Sequence, residues 1–172
     1  AMALIKDGRL ASDRWHRYAD EGPLQPDIPA LVSLERFTAE REALIRAQAD
    51  LGVQLEPGDD PAALAGDLDR IALVAIHFPS FTDGRGYSYA RLLRERYGFK
   101  GEIRAVGHVL RDQYLFLARA GFDAFEVKDG ETAEKWLDAT RAITHAYQPA
   151  TDARRPIWAL RAEGEPVAAA AE

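Results

Sequence analysis

Between His77 and Ser88 the chain reads His77-Phe78-Pro79-Ser80-Phe81-Thr82-Asp83-Gly84-Arg85-Gly86-Tyr87-Ser88, and Asp83-Gly84-Arg85-Gly86 within it has the makings of an anion site. Two glycines let backbone N–H groups approach a ligand closely, Arg85 offers a planar fork, and a following helix start favours negative charge. Ser88 and Arg91 extend this set toward the next helix. The spacing matches neither a Walker A loop nor a G-x-G-x-x-G fingerprint. The competing reading is a tight turn whose Asp83 caps the backbone and whose Arg85 pairs with a carboxylate. A second group follows a later strand: His108, Arg111, Asp112 and Gln113. His108 and Asp112 stand four apart, so a helix starting near Val109 would bring them close. That pair is the candidate catalytic couple, a general base with an orienting carboxylate; a helix-start hydrogen bond explains the spacing equally. His77 ends an apolar run and reads as a hydrogen-bonded core histidine. Phe78 and Phe81 read as lid or core packing around Pro79. No His, Asp and Glu spacing resembles a metal site, and no G-x-S-x-G elbow supports a serine triad.

These groups need strands and helices to position them. Leu4 to Leu10 predicts a small β-hairpin around Asp7-Gly8, with Trp15 anchoring it to the body. Three prolines in residues 20–29 predict an extended linker. From Ala30 onward strands and helices alternate. Strands are expected at Ala30–Leu34, Val53–Leu55, Ile71–Ile76, Glu102–Val106 and Asp123–Val127. Unbroken apolarity in Ile71–Ile76 suits a central parallel strand buried on both faces. The intervening helices place Phe37, Leu44, Ile45 and Leu51 on one stripe and end at Gly52, then run from Asp60-Pro61 to Leu68. Next come Tyr89 to Tyr97 with Ser88 as cap, a helix carrying Leu110, Tyr114, Leu117 and Ala118 up to Gly121, and Glu131 to His145 after an Asp129-Gly130 turn. Pro156–Leu160 adds an edge element. The fold class is therefore α/β, a single domain of about five mostly parallel strands in an open sheet or half-barrel, with a small N-terminal hairpin. By segment, 1–19 is hairpin and anchor, 20–29 linker, 30–161 the α/β domain and 162–172 a flexible tail. In such folds functional groups gather at the carboxyl ends of the strands, which is where the two groups above fall.

Composition narrows the function classes. The 172 residues carry net charge −6, which argues against nonspecific nucleic-acid binding, and no cysteine, which excludes disulfides, thiol catalysis and Cys-held metal. Asp83 to Arg119 nevertheless holds eight basic residues against four acids, a +4 region inside an otherwise acidic chain. Such a region suits a small anion or an acidic partner surface. No apolar run approaches the ~20 residues needed to span a bilayer, and no signal-peptide pattern stands at the start, so a cytoplasmic protein without membrane contact is expected. The residues specify no cofactor.

The run Phe78 to Ser88, continuing through Ala90-Arg91-Leu92-Leu93-Arg94, resembles an uncharacterised bacterial family known only as a domain of unknown function and sometimes labelled an oxidoreductase. Gly101 to Gly107 with Leu110-Arg111-Asp112-Gln113, and Arg119 to Phe125, resemble the same family. The resemblance implies an accessory role in sulfur assimilation beside sulfite reductase, because members are encoded next to its gene. It carries over no mechanism, and the oxidoreductase label has no nucleotide fingerprint or cysteine behind it. The expected function is thus an accessory of assimilatory sulfite reduction, meeting sulfite reductase or a small anion through an arginine-rich rim. The alternative is a small barrel-like enzyme acting on a phosphorylated or carboxylate metabolite, with His108 or Asp112 as acid–base group and Arg85 on the anion. A third reading is a structural homodimer joined at an exposed sheet edge.

Overall fold

The computed structural model describes residues 2–128 and 131–141. The chain opens with strands β1 (Met2–Lys6), β2 (Arg9–Ala11), β3 (His16–Arg17) and β4 (Ala30–Ser33), then helix α1 (Leu34–Ala47) and β5 (Leu51–Leu55). After a 3-10 turn at Pro61–Leu64 come β6 (Leu73–Phe78), α2 (Arg85–Arg91), β7 (Glu102–Gly107), α3 (Tyr114–Ala120), β8 (Ala124–Lys128) and α4 (Glu131–Arg141). All eight strands lie in one sheet ordered β2-β1-β8-β7-β6-β5-β4-β3. From β3 to β8 every pairing is parallel, and β1 closes against β8 antiparallel. The sheet curls into an open half-barrel: Arg17 of β3 reaches Glu126 of β8, five strands along, with Nη2 2.8 Å from both carboxylate oxygens.

The sequence expectation of about five strands is corrected to eight among the described residues, six of them in the parallel run. β3 escaped because two residues give no periodicity to read. Leu51 and Gly52 belong to β5 rather than to the end of α1, which Gln48 already closes. Gly52 is there for packing: a Cβ would stand 3.1 Å from Trp15 Cζ3 and 3.2 Å from Leu31 and Leu73 side-chain atoms. The helix expected from Tyr89 begins four residues earlier, at Arg85, and widens into a π-helical turn at Leu92–Arg96. The helix expected through Leu68 is the short 3-10 turn, with Asp60 accepting from Ala62 N as foreseen. The hairpin has the expected form, with Asp7 at φ 51° and Gly8 at φ 75°. Residues 18–29 carry no helix or strand, and the buried Arg36 guanidinium ties them down by donating to the carbonyls of Ala19 and Gly22. The Asp129-Gly130 turn, the end of the last helix at His145, the Pro156–Leu160 element and the tail lie outside the described residues.

Strand alternation gives the sheet two unlike faces. The outer face carries Val53, Leu55, Val74, Ile76, Phe78, Ile103, Ala105, Phe125 and Val127 against Phe37, Leu44, Ala90, Leu93, Leu117 and Trp136 from the helices. On the inner face Leu31, Leu73, Ala75 and Val106 pack beneath Trp15. Beside them lies a buried ionic network. Arg104, 1% exposed, holds Glu102 at 2.8 Å, Asp13 at 3.0 Å and Glu126 at 3.3 Å. Lys6 Nζ closes on the other oxygen of Glu102 at 2.7 Å. With Arg17 on Glu126, three cations face three carboxylates. Arg104→Met removes one partner and leaves Glu102 and Glu126 buried without it, so stability should fall by about 3–5 kcal/mol, read as a lower midpoint in urea.

At the amino end of the strands Arg94 donates to the carbonyls of Phe99 (2.9 Å), Gly101 (2.7 Å) and Gly121 (3.0 Å). Nearby, Asp123 accepts from Ile103 N at 2.8 Å. Burial pushes the Asp123 carboxyl up from 3.8 to about 6, against the opposing pull of the Ile103 hydrogen bond and Arg94. The folded chain therefore holds this proton more tightly than the unfolded one. Its contribution is complete below 3.8 and is lost as pH rises through about 6. Asp123→Asn keeps an acceptor for Ile103 and should flatten that part of the stability–pH curve, measured by denaturant titration across the window.

Candidate functional site

Parallel β6 and β7 end side by side, so the turns that follow them share one rim. His108 N donates to Phe78 O at 2.7 Å, which holds the two exits together. After β6, Ser80 Oγ and Thr82 Oγ1 meet at 2.9 Å and Asp83 N donates to Ser80 O at 3.1 Å, bending the chain into a tight turn. Asp83 Oδ1 then accepts from Arg85 N at 3.1 Å and from Arg85 Nε at 3.0 Å, while Oδ2 accepts from Nη2 at 2.7 Å. The guanidinium and then the backbone N–H of Arg85 hold the Asp83 carboxyl below the usual carboxylate range. This is the capped-turn geometry, with Arg85 paired inside its own turn and its side chain still 58% exposed.

Gly84 precedes α2 at the cap position and is open to solvent. Gly86 is buried, and a Cβ there would come 2.5 Å from the Phe78 ring and 3.0 Å from Ile76. Its small size serves the seating of α2 on β6 rather than ligand approach. Ser88 lies exposed on α2, and Arg91, further along, faces Glu95 at 3.9 Å. Across the rim, Gln113 Nε2 donates to Phe81 O at 2.9 Å and Gln113 Oε1 accepts from Leu110 N at 3.2 Å. Arg111 pairs with Asp112 at 3.3 Å, and the Asp112 side chain is 85% exposed. His108 is exposed, and among the described residues no hydrogen bond joins it to Asp112. The rim thus gathers Asp83, Arg85 and Gln113 around Phe81, and sets Leu110 and Arg111 beside Gln113. Gly86 goes to the core.

Phe81, Leu110 and Phe116 are three of the large apolar side chains left in water. Sequence reading treated Phe81 as lid or core, gave Phe116 no role and put Leu110 on the buried stripe of the helix. Leu110 instead precedes α3 and is exposed, and Phe116, which fits no buried stripe, was the available signal. It also missed the inner-face charges. Glu102, Arg104 and Glu126 alternate with Ile103, Ala105, Phe125 and Val127, a two-faced pattern unlike the uniform apolarity of β6. His77, expected in the core, has its ring 32% exposed with Nδ1 2.5 Å from Glu56 Oε2.

The model of a family of bacterial proteins of unknown function, DUF934, matches residues 52–158, more than half of the chain, and takes in β5 to β8 and both turns of the rim. The chain belongs to the DUF934 family. No curated protein matches it. The matched stretch leaves out the hairpin, β3, β4 and α1, so Lys6, Asp13, Trp15 and Arg17 are supplied to the DUF934 core from outside it. Among the described residues no helix is long and apolar enough to cross a membrane.

Gly107 is the backbone position on which the two DUF934 exits depend. It has φ 88°, and a Cβ would run into Phe78 O and stand 2.6 Å from His77 Cδ2. Gly107→Ala should cost about 2–4 kcal/mol through the left-handed φ and the crowding, checked as a fall in thermal midpoint.

Proposed function

We propose that this protein is an accessory of assimilatory sulfite reduction that docks on sulfite reductase through the rim made by the β6–α2 and β7–α3 turns. The observation that carries this reading is Gln113, whose side chain ties Phe81 to Leu110 and so fixes two exposed apolar groups beside Arg85 and Arg111. Aromatic and arginine side chains are the ones that most often anchor protein interfaces. Arg111 is held by the exposed carboxylate of Asp112, and Arg85, itself more than half exposed, by the partly buried Asp83; an exposed pair such as Arg111–Asp112 contributes only about 0–1 kcal/mol. A partner's carboxylate can therefore replace Asp112 on Arg111 at little cost, and the outer side of the Arg85 guanidinium is open to another. The exposed guanidinium groups of Arg85, Arg91 and Arg111 suit an acidic partner surface, and such an attraction weakens with salt. The sulfur-assimilation setting comes from the family resemblance; the rim supplies the means of contact.

Calorimetry of the full chain against purified sulfite reductase tests both halves. Phe81→Ser with Leu110→Ser should weaken binding at least about tenfold, as loss of an apolar anchor does, without lowering the thermal midpoint of the free protein. Arg111→Glu should weaken it further and remove most of the salt dependence. A strain lacking the gene should grow on sulfide and fail on sulfate and sulfite. Absence of binding together with normal growth on sulfate overturns the reading. A saturable thermal shift with one phosphorylated or carboxylate metabolite would instead favour the small-enzyme alternative.

A further inference from the structure

Strand register sorts the inner-face side chains into layers. Leu31, Gly52, Leu73 and Glu102 are successive Cα partners across β4 to β7, and Gln54, Ala75, Arg104 and Ala124 form the next layer across β5 to β8. Two residues further on stand Glu56, His77, Val106 and Glu126, the layer at the carboxyl mouth of the half-barrel. In barrels of alternating strands and helices, reactive side chains rise from that layer.

His77 stands in that layer with its ring 32% exposed. A carboxylate 2.5 Å from Nδ1 accepts its proton in a hydrogen bond, so in the neutral ring the lone pair lies on Nε2. Glu56 is itself held, since Gln54 Nε2 donates to its second oxygen at 2.7 Å and Glu56 N donates to Asp59 Oδ2 at 2.7 Å. Gly107 leaves no side chain beside the ring: a Cβ there would be 2.9 Å from Nε2. Among the described residues Nε2 has no hydrogen-bond partner. The mouth around it is acidic. Asp59 backs Glu56, and Asp20 is held on Ser33 at 2.5 Å, one strand over. Arg17, which reaches Gln54 at 3.4 Å, is turned to Glu126.

We propose that Glu56 and His77 form an acid–base pair at a second site, on the inner face, independent of the docking rim. His77 Nε2 takes a proton from an O–H or N–H of a small neutral or cationic ligand, Glu56 steadies the imidazolium, and the same proton is later returned. Anions are disfavoured there by the surrounding carboxylates. Glu56 is a positioning residue, acting through the ring.

Because the chain has no cysteine, haloacetyl reagents report its histidines without thiol competition. The full-length protein is treated at mildly alkaline pH with neutral iodoacetamide or anionic iodoacetate, and alkylation of each histidine is followed by peptide mass spectrometry. His77 should react with iodoacetamide about fivefold faster than the exposed His108, and more slowly with iodoacetate by a similar factor, the size of one nearby charge. Glu56→Gln should bring the iodoacetamide rate down toward that of His108 and shrink the preference for the neutral reagent. The comparison within the unaltered protein needs no variant to fold. A His77 that reacts no faster than His108, or that prefers iodoacetate, overturns the proposal.

Discussion

Arg104 sits almost wholly out of water, and the inner face is arranged around keeping its charge matched. A lone buried cation would cost several kcal/mol, so its carboxylate partners must be in place when β7 packs. Those partners come from separate parts of the chain: Glu102 on β7, Glu126 on β8 and Asp13 before β3, with Lys6 and Arg17 completing the balance. The hairpin and β3 are therefore bound to the parallel sheet by charge as well as by strand pairing. The network also fixes register. A one-residue slip of β7 would turn Arg104 into the apolar layer under the helices and bring Ile103 inside.

The two outer turns depend on a different constraint, the room left by two glycines. At Gly86 the missing side chain lets α2 lie against Phe78 and Ile76, which starts the helix early and shortens the turn before it. At Gly107 the left-handed backbone carries the chain across Phe78 O and leaves space for the His77 ring. One residue thus serves both edges of the β7 exit: the rim where Phe81 and Leu110 stand exposed, and the mouth where His77 meets Glu56.

Much of this was legible in the sequence. The hairpin at Asp7-Gly8, the central strand before His77, the alternation of strand and helix and the adjacency of the two turns all follow from turn chemistry and apolar spacing. What was not legible came from contacts between distant segments. Gly52 looks like a helix stop until Trp15 is known to lie over it. Two residues of β3 carry no pattern, and only β4 beside them makes them a strand. Asp83 and Arg85 were read either as an anion site or as a capped turn, and the hydrogen bonds within the turn have the second form. Glu102, Arg104 and Glu126 were visible as alternating charges, but their meaning needed the curl of the sheet, which brings β3 across to β8.

Trp15 and the charges around it fill the hollow that a complete eight-unit barrel would share between two halves. Tandem duplication of this gene would consequently not yield a closed barrel at once, since two occupied interiors would collide. Trp15 and Arg104 would first have to be exchanged for smaller uncharged residues.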